Sequence, residues 1–189
     1  MDTNAATASS TLRIEQFPAD TEGGIPSSRF QGWFDAVDAG FHESSPDAAH
    51  LAEYAKGYAA DNRVLWGVYD DEPRPGVWSA DIPVATYATM VNSMNVGGGR
   101  LLDAHQITAV TVRPTHRRRG LLRRLITSDL EQAARSGLGI AALTASEATI
   151  YGRFGFGAAT FTHEVEVDVQ ERFGLRTPSA GTVEMADPA

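Results

Sequence analysis

Apolar residues recur in steps of two in some stretches of the chain and in steps of three or four in others, and these changes of period predict the elements. Leu12, Ile14 and Phe17 alternate with Arg13, Glu15 and Gln16, as in a strand with one buried face. Residues 18–28 read as a loop. Phe30, Trp33, Phe34 and Val37 then fall at helical spacing and predict an amphipathic helix closing near Gly40. Asp47 stands where it would cap a second helix running to Ala60, with Leu51, Tyr54, Ala55 and Tyr58 on one side. Residues 64–69 form a short apolar strand. Residues 83–94 and 101–112 flank the turn NVGGGR and predict an antiparallel hairpin.

From Gly120, the positions Leu121, Leu122, Leu125, Ile126 and Leu130 mark a helix to about Arg135, and Gly137 and Gly139 end it before the apolar run 140–143. A strand, a helical crossover and a second strand make a right-handed parallel pair, so the sheet is mixed and the class is α/β. A short helix is expected over 147–154 and a last strand over 160–169. Residues 1–10 are small and polar and are expected to be disordered. Residues 11–170 then form the domain, and residues 171–189 read as a linker and the start of a following domain, as if the sequence were the amino-terminal part of a longer protein.

Composition narrows the chemistry. The 189 residues suit one packed domain. With no cysteine, a disulfide framework, a thiolate metal site and a cysteine nucleophile are excluded. His42, His50, His105 and His163 show no metal-ligand spacing, and no metal is expected. No apolar run reaches the roughly 18–20 residues of a membrane span, and the first residues lack the parts of a signal peptide. A soluble, cytoplasmic protein with no membrane partner is therefore expected. The formal net charge of −8 argues against a nucleic-acid partner. Against that background Arg113, Arg117, Arg118, Arg119, Arg123 and Arg124 gather in one short segment, which suits a small anionic ligand.

The helix that follows Gly120 has no Ser, Thr, Asp or Asn just before it to cap its first N–H groups. Those N–H groups, the positive end of the helix dipole and several guanidinium groups converge with no internal acceptor, and an anion would complete them. Each charge-assisted contact contributes roughly 1.5–3 kcal/mol. The Walker pattern and a GxGxxG after a strand are both absent, which disfavours nucleotide hydrolysis and dinucleotide binding. A solvated basic helix start is the plain alternative.

The segment RRRGLL, Arg117 to Leu122, resembles the acyl-CoA signature of the GCN5-related N-acetyltransferase (GNAT) superfamily, Q/R-x-x-G-x-G/A, with Leu122 departing at the last position. The stretch VRPTHRRRGLLRRL, taken with TASEATIYGRFGFGAAT from Thr144 to Thr160, is similar to the amino-terminal domain of the enhanced intracellular survival (Eis) family of N-acetyltransferases. The resemblance implies a GNAT fold, a mixed splayed β-sheet flanked by helices, with acetyl-CoA as co-substrate between the strand ending near Val112 and the strand 140–143. It implies that the backbone of Val110 and Val112 holds the pantetheine arm, that Arg117, Arg118, Arg119, Gly120, Leu121 and Leu122 hold the pyrophosphate, and that Ser146 adds a cofactor contact. Ala148 and Thr149 stand where the family often has Gly. The implied reaction is transfer of an acetyl group to a primary amine, an aminoglycoside or lysine-like acceptor. Phe41 and Glu43 would lie on the acceptor wall, Tyr151 would be the general acid, and a longer full-length chain would form a homo-oligomer.

Read without the resemblance, Tyr151 is a core aromatic beside Phe154 and Phe156. A phenol near pKa 10 is nevertheless protonated at neutral pH and able to donate to a leaving thiolate. The backbone N–H of Val112 is a candidate donor to the thioester carbonyl. For the base, the resemblance points to the far carboxyl terminus of a longer chain, and Glu147, Glu43 and His116 are the substitutes at hand. A CoA-binding domain without catalysis, serving regulation or interaction, is the second reading.

Overall fold

The computed structural model describes residues 12–22, 25–145 and 147–161 and the isolated positions 163, 165, 166, 174, 177, 180–182 and 184. The chain divides into two units, Met1–Phe156 and Gly157–Ala189. The described residues of the second carry no helix or strand; most of the strand expected over 160–169 lies outside the described residues.

In the first unit, β1 (Leu12–Pro18) leads into a two-residue hairpin, β2 (Thr21–Glu22) and β3 (Ile25–Pro26), inside the stretch expected to be loop. Helix α1 (Ser28–Phe41) begins where the side chain of Ser27 accepts the Phe30 N–H, and it ends at His42, which adopts a left-handed conformation. Helix α2 (Ala48–Ala60) is capped by Asp47 as its sequence predicts. Then follow β4 (Val64–Asp70), β5 (Ala85–Asn95), β6 (Leu101–Val112), α3 (Leu121–Arg135) and β7 (Ala141–Leu143). The helix expected over 147–154 is instead two 3-10 turns, Ala148–Ile150 and Gly152–Phe154. β-branched Thr149 and Ile150, with Gly152 two residues on, give an α-helix little propensity to propagate through this segment.

The sheet order is β1-β4-β5-β6-β7, antiparallel throughout except for the parallel β6–β7 pair. Alternation along the strands separates two cores. Leu65, Ala88 and Ala109 face Phe30, Trp33, Phe34, Leu51 and Ala55 of α1 and α2. Trp66, Tyr87 and Ile107 pack with Leu121, Leu125 and Ile126 of α3. The indole N–H of Trp33 donates to the carbonyl of Trp66 at 2.9 Å, tying α1 to β4.

Two irregularities shape the functional end of this sheet. First, β7 pairs with β6 only from His105↔Ala141 to Ile107↔Leu143, so the following residues of β6 lose their neighbour and a gap opens on that edge. Second, Thr86 pairs with Thr111 but Ala88 pairs with Thr108, so β6 carries one extra residue between them, and Ala109 there has φ 51°. The hydroxyl of Thr86, fully buried, donates to the Ala109 carbonyl at 2.8 Å and meets the Thr111 hydroxyl at 2.6 Å. The end of α1 rests on the same place: a Cβ on Gly40 would fall 2.5 Å from the Cβ and Cγ2 of Thr111. Only a glycine lets the helix approach this closely.

Candidate active site

The gap between β6 and β7 opens into a cavity of about 830 Å³. Its floor is the second half of β6, residues 107–112, where Thr108, Val110 and Val112 are half-buried and alternate with buried Ile107, Ala109 and Thr111. The N–H of Arg113 bonds to the carbonyl of Val84 at 2.8 Å, toward β5. Successive N–H groups of an extended chain point to opposite edges, so the Val112 N–H is directed at the gap, and the period of two gives Val110 the same edge. Unpaired strand edges of this kind accept an extended ligand as an added strand.

At the end of β6, Pro114–His116 forms a 3-10 turn, and Arg117, Arg118, Gly120, Leu121, Leu122 and Arg123 continue the wall of the same cavity. Arg118 and Gly120 both have positive φ, 64° and 75°. Helix α3 starts at Gly120 with no side-chain cap, as the sequence predicts, which leaves its first N–H groups without a side-chain acceptor, and a Cβ on Gly120 would stand in open space. Arg117 donates from Nε to the Val112 carbonyl at 3.2 Å, and neither Arg117 nor Arg118 forms an ion pair among the described residues. Arg119 departs from expectation. It donates to the Thr115 carbonyl at 3.3 Å and lines a neighbouring cavity instead, because the left-handed turn at Arg118 reverses the chain and sends consecutive side chains to different sides.

Tyr151 stands between the two 3-10 turns, only 8% exposed, with its ring edge-on to Phe156. Burial pushes its phenol above the ordinary tyrosine value, and the carboxylate of Glu147 adds to the rise. It lines the cavity with Glu147, Ile150 and Phe154. Phe41 reaches the same cavity from the end of α1. Glu43 is not on its wall: the left-handed His42 turns the chain, and the Glu43 N–H is taken by the Asp38 carbonyl. His116 is buried rather than turned to solvent. Its ring is held between the Thr115 hydroxyl at 2.9 Å and the Asp70 carboxylate at 3.3 Å, and it touches both cavities. Ser146 lies outside the described residues.

A family model for the acetyltransferase (GNAT) domain matches residues 24–159, a span that contains every residue on the cavity wall. This chain belongs to the GNAT acetyltransferase family. An uncharacterized N-acetyltransferase of Streptomyces griseus is 36% identical over 171 residues, 87% of this chain and 38% of that one. The N-acetyltransferase Eis of Mycobacterium tuberculosis is 46% identical over 89 residues, 47% of this chain and 22% of that one. The chain thus spans well under half the length of these curated relatives. Among solved structures, a predicted acetyltransferase of Clostridium acetobutylicum with acetyl-CoA matches with TM-score 0.57 at 17% identity, over 82% of this chain and 96% of that one. An aminoglycoside N-acetyltransferase in complex with CoA matches with TM-score 0.58 at 16% identity, over 82% and 93%. These structures share the GNAT fold.

The fold and the cavity bring together most of the residues that the motifs single out, and they add some that the motifs do not. Thr86, Gly40 and Asp70 shape the walls through contacts with residues far along the chain. No local pattern marks them, since a threonine in a strand and a glycine near a helix end are ordinary.

Proposed function

We propose that the chain is an acetyl-CoA-dependent N-acetyltransferase domain of the Eis type that acts on a primary amine, an aminoglycoside or lysine-like acceptor. The observation that carries the reading is the single cavity on which the freed edge of β6, the uncapped start of α3 with Arg117 and Arg118, and the buried Tyr151 phenol all meet. Those residues fit the co-substrate: a strand edge for an amide-bearing arm, open N–H groups and guanidiniums for a diphosphate. Acetyl-CoA supplies the activated acyl group when bound. The Val112 N–H donates to the acyl oxygen as charge develops there. The Tyr151 hydroxyl, protonated through and above neutral pH, gives its proton to the departing sulfur. Phe41, on the same cavity wall, offers an apolar surface for the acceptor.

Within the cavity Glu147 and His116 are the groups able to take the proton of the amine, and His116 is already committed to Asp70. That commitment favours a second reading, a domain that binds CoA and needs a base from further chain. A cytoplasmic setting and a homo-oligomer built by a longer chain belong to the first reading. Thiol release from acetyl-CoA with tobramycin as acceptor, lost in Tyr151→Phe, is the result expected of it. Saturable CoA binding with no turnover on any amine would leave the second.

A further inference from the structure

A second cavity, of about 790 Å³, lies beside the first and shares Gly40, Thr111 and His116 with it. The end of α1, seated on Thr111, stands between them. Its volume falls within the roughly 300–1,000 Å³ of small-molecule sites. The connection between β4 and β5 closes it with Pro73, Val77, Trp78 and Pro83, and Ala36 and Ala39 of α1 complete an apolar surface.

Three guanidiniums reach this surface: Arg74, Arg113 and Arg119. None forms an ion pair among the described residues. Arg113 is the best placed. Its guanidinium lies 5.1 Å from the centroid of the Trp78 ring and makes one long bond, 3.4 Å, to the Pro83 carbonyl. Burial lowers its affinity for the proton, and the carboxylate of Asp70 offsets part of that effect. Of the two carboxylates on the wall, Asp70 is engaged by His116. A cationic amine entering here would meet an excess of positive charge, since three guanidiniums face the two carboxylates Asp70 and Glu72, and a neutral ligand would add no counter-charge.

We propose that this cavity binds a small planar organic anion of the aryl carboxylate class, its carboxylate taken by Arg113 and its ring held by Trp78 and the surrounding proline and valine side chains. Arginine recognises carboxylate through two parallel hydrogen bonds, and aromatic walls favour a flat ligand over an inorganic ion. The site is separate from the cofactor cleft, and the proposal stands whether or not the protein transfers acetyl groups.

The test is a charge-matched series, 4-fluorobenzoate, 4-fluorobenzamide and 4-fluorobenzylamine, titrated into the protein and followed by fluorine NMR. Saturable binding of the benzoate, at least tenfold tighter than that of the amide or the amine, supports the proposal. So does a fivefold or greater loss in Arg113→Gln and in Trp78→Leu, with the bound benzoate unmoved by saturating CoA. Equal binding of the three probes, no saturable binding, displacement by CoA, or full affinity in Arg113→Gln would each overturn it. The probe series on the unaltered protein decides the matter even if a variant fails to fold.

Discussion

Tyr151 and Thr86 carry the account at the level of single residues. If Tyr151 is the proton donor, Tyr151→Phe should lower kcat by about 10²–10⁴-fold and leave the KM for acetyl-CoA nearly unchanged, as steady-state kinetics would show. Its phenol is raised by burial and by Glu147, so the protonated form persists as pH rises through the ordinary tyrosine range. The loss of kcat that belongs to Tyr151 should accordingly appear above pH 10; a basic limb several units lower would assign the proton to another group. Thr86 touches neither ligand nor reacting atom in this scheme. It positions the bulge by donating to the Ala109 carbonyl. Thr86→Val leaves that buried carbonyl and the Thr111 hydroxyl without their partner, at about 1–3 kcal/mol of stability. It should also raise the KM for acetyl-CoA more than it lowers kcat, and Thr86→Ser should restore both. A Thr86→Val variant with lower stability and an unchanged KM would reduce the residue to ordinary packing.

Between elements, the contact that matters most is the landing of α1 on β6. Gly40→Ala places a methyl group 2.5 Å from the Thr111 side chain, so the helix end must lift, at about 1–3 kcal/mol. Asp38, two residues before Gly40 in α1, is buried with one carboxylate oxygen lacking a partner among the described residues. Burial first, then Glu43 and Asp35, hold its carboxyl above the ordinary value. A raised carboxyl binds protons more tightly in the folded state, so its ionisation weakens the fold as pH rises past the ordinary aspartate value. Asp38→Asn should therefore raise Tm at pH 7, with a gain that shrinks as pH falls toward about 4. An equal gain at both pH values would contradict this cause.

Elements were legible in the sequence where a residue's own neighbours decide its state: Asp47 caps α2, the alternation of residues 101–112 builds β6, and the missing cap of α3 is a missing side chain. Features set by distant partners were not. The bulge at Ala109 depends on Thr86, the direction of Arg119 depends on the left-handed Arg118, and His116 is buried because Asp70 receives it. The absence of an α-helix over 147–154 is a local matter that apolar spacing obscures, since 3-10 turns bring Tyr151 and Phe154 together about as well as an α-helix would.

The whole first unit reads as a clamp with one closed end and one open end. At the closed end Asp129 of α3, 2% exposed, accepts from the Tyr87 hydroxyl at 2.7 Å and meets His105 Nε2 at 2.7 Å, tying α3 to β5 and β6 where β7 still pairs. Burial, then Asp129, push the Tyr87 phenol far above the ordinary value, so it remains a donor. Asp129→Ala should cost about 3–5 kcal/mol in denaturant unfolding, because two buried partners lose their acceptor together. At the open end the strand edge, the arginine turn and Tyr151 surround one space. Hydrogen exchange with and without CoA tests most directly whether that space is the co-substrate site. Protection of amides in residues 110–112 and 117–123, weakened when Arg117 and Arg118 are both changed to Gln, is the predicted result. Saturated CoA binding that protects another surface and leaves these amides unchanged would contradict it.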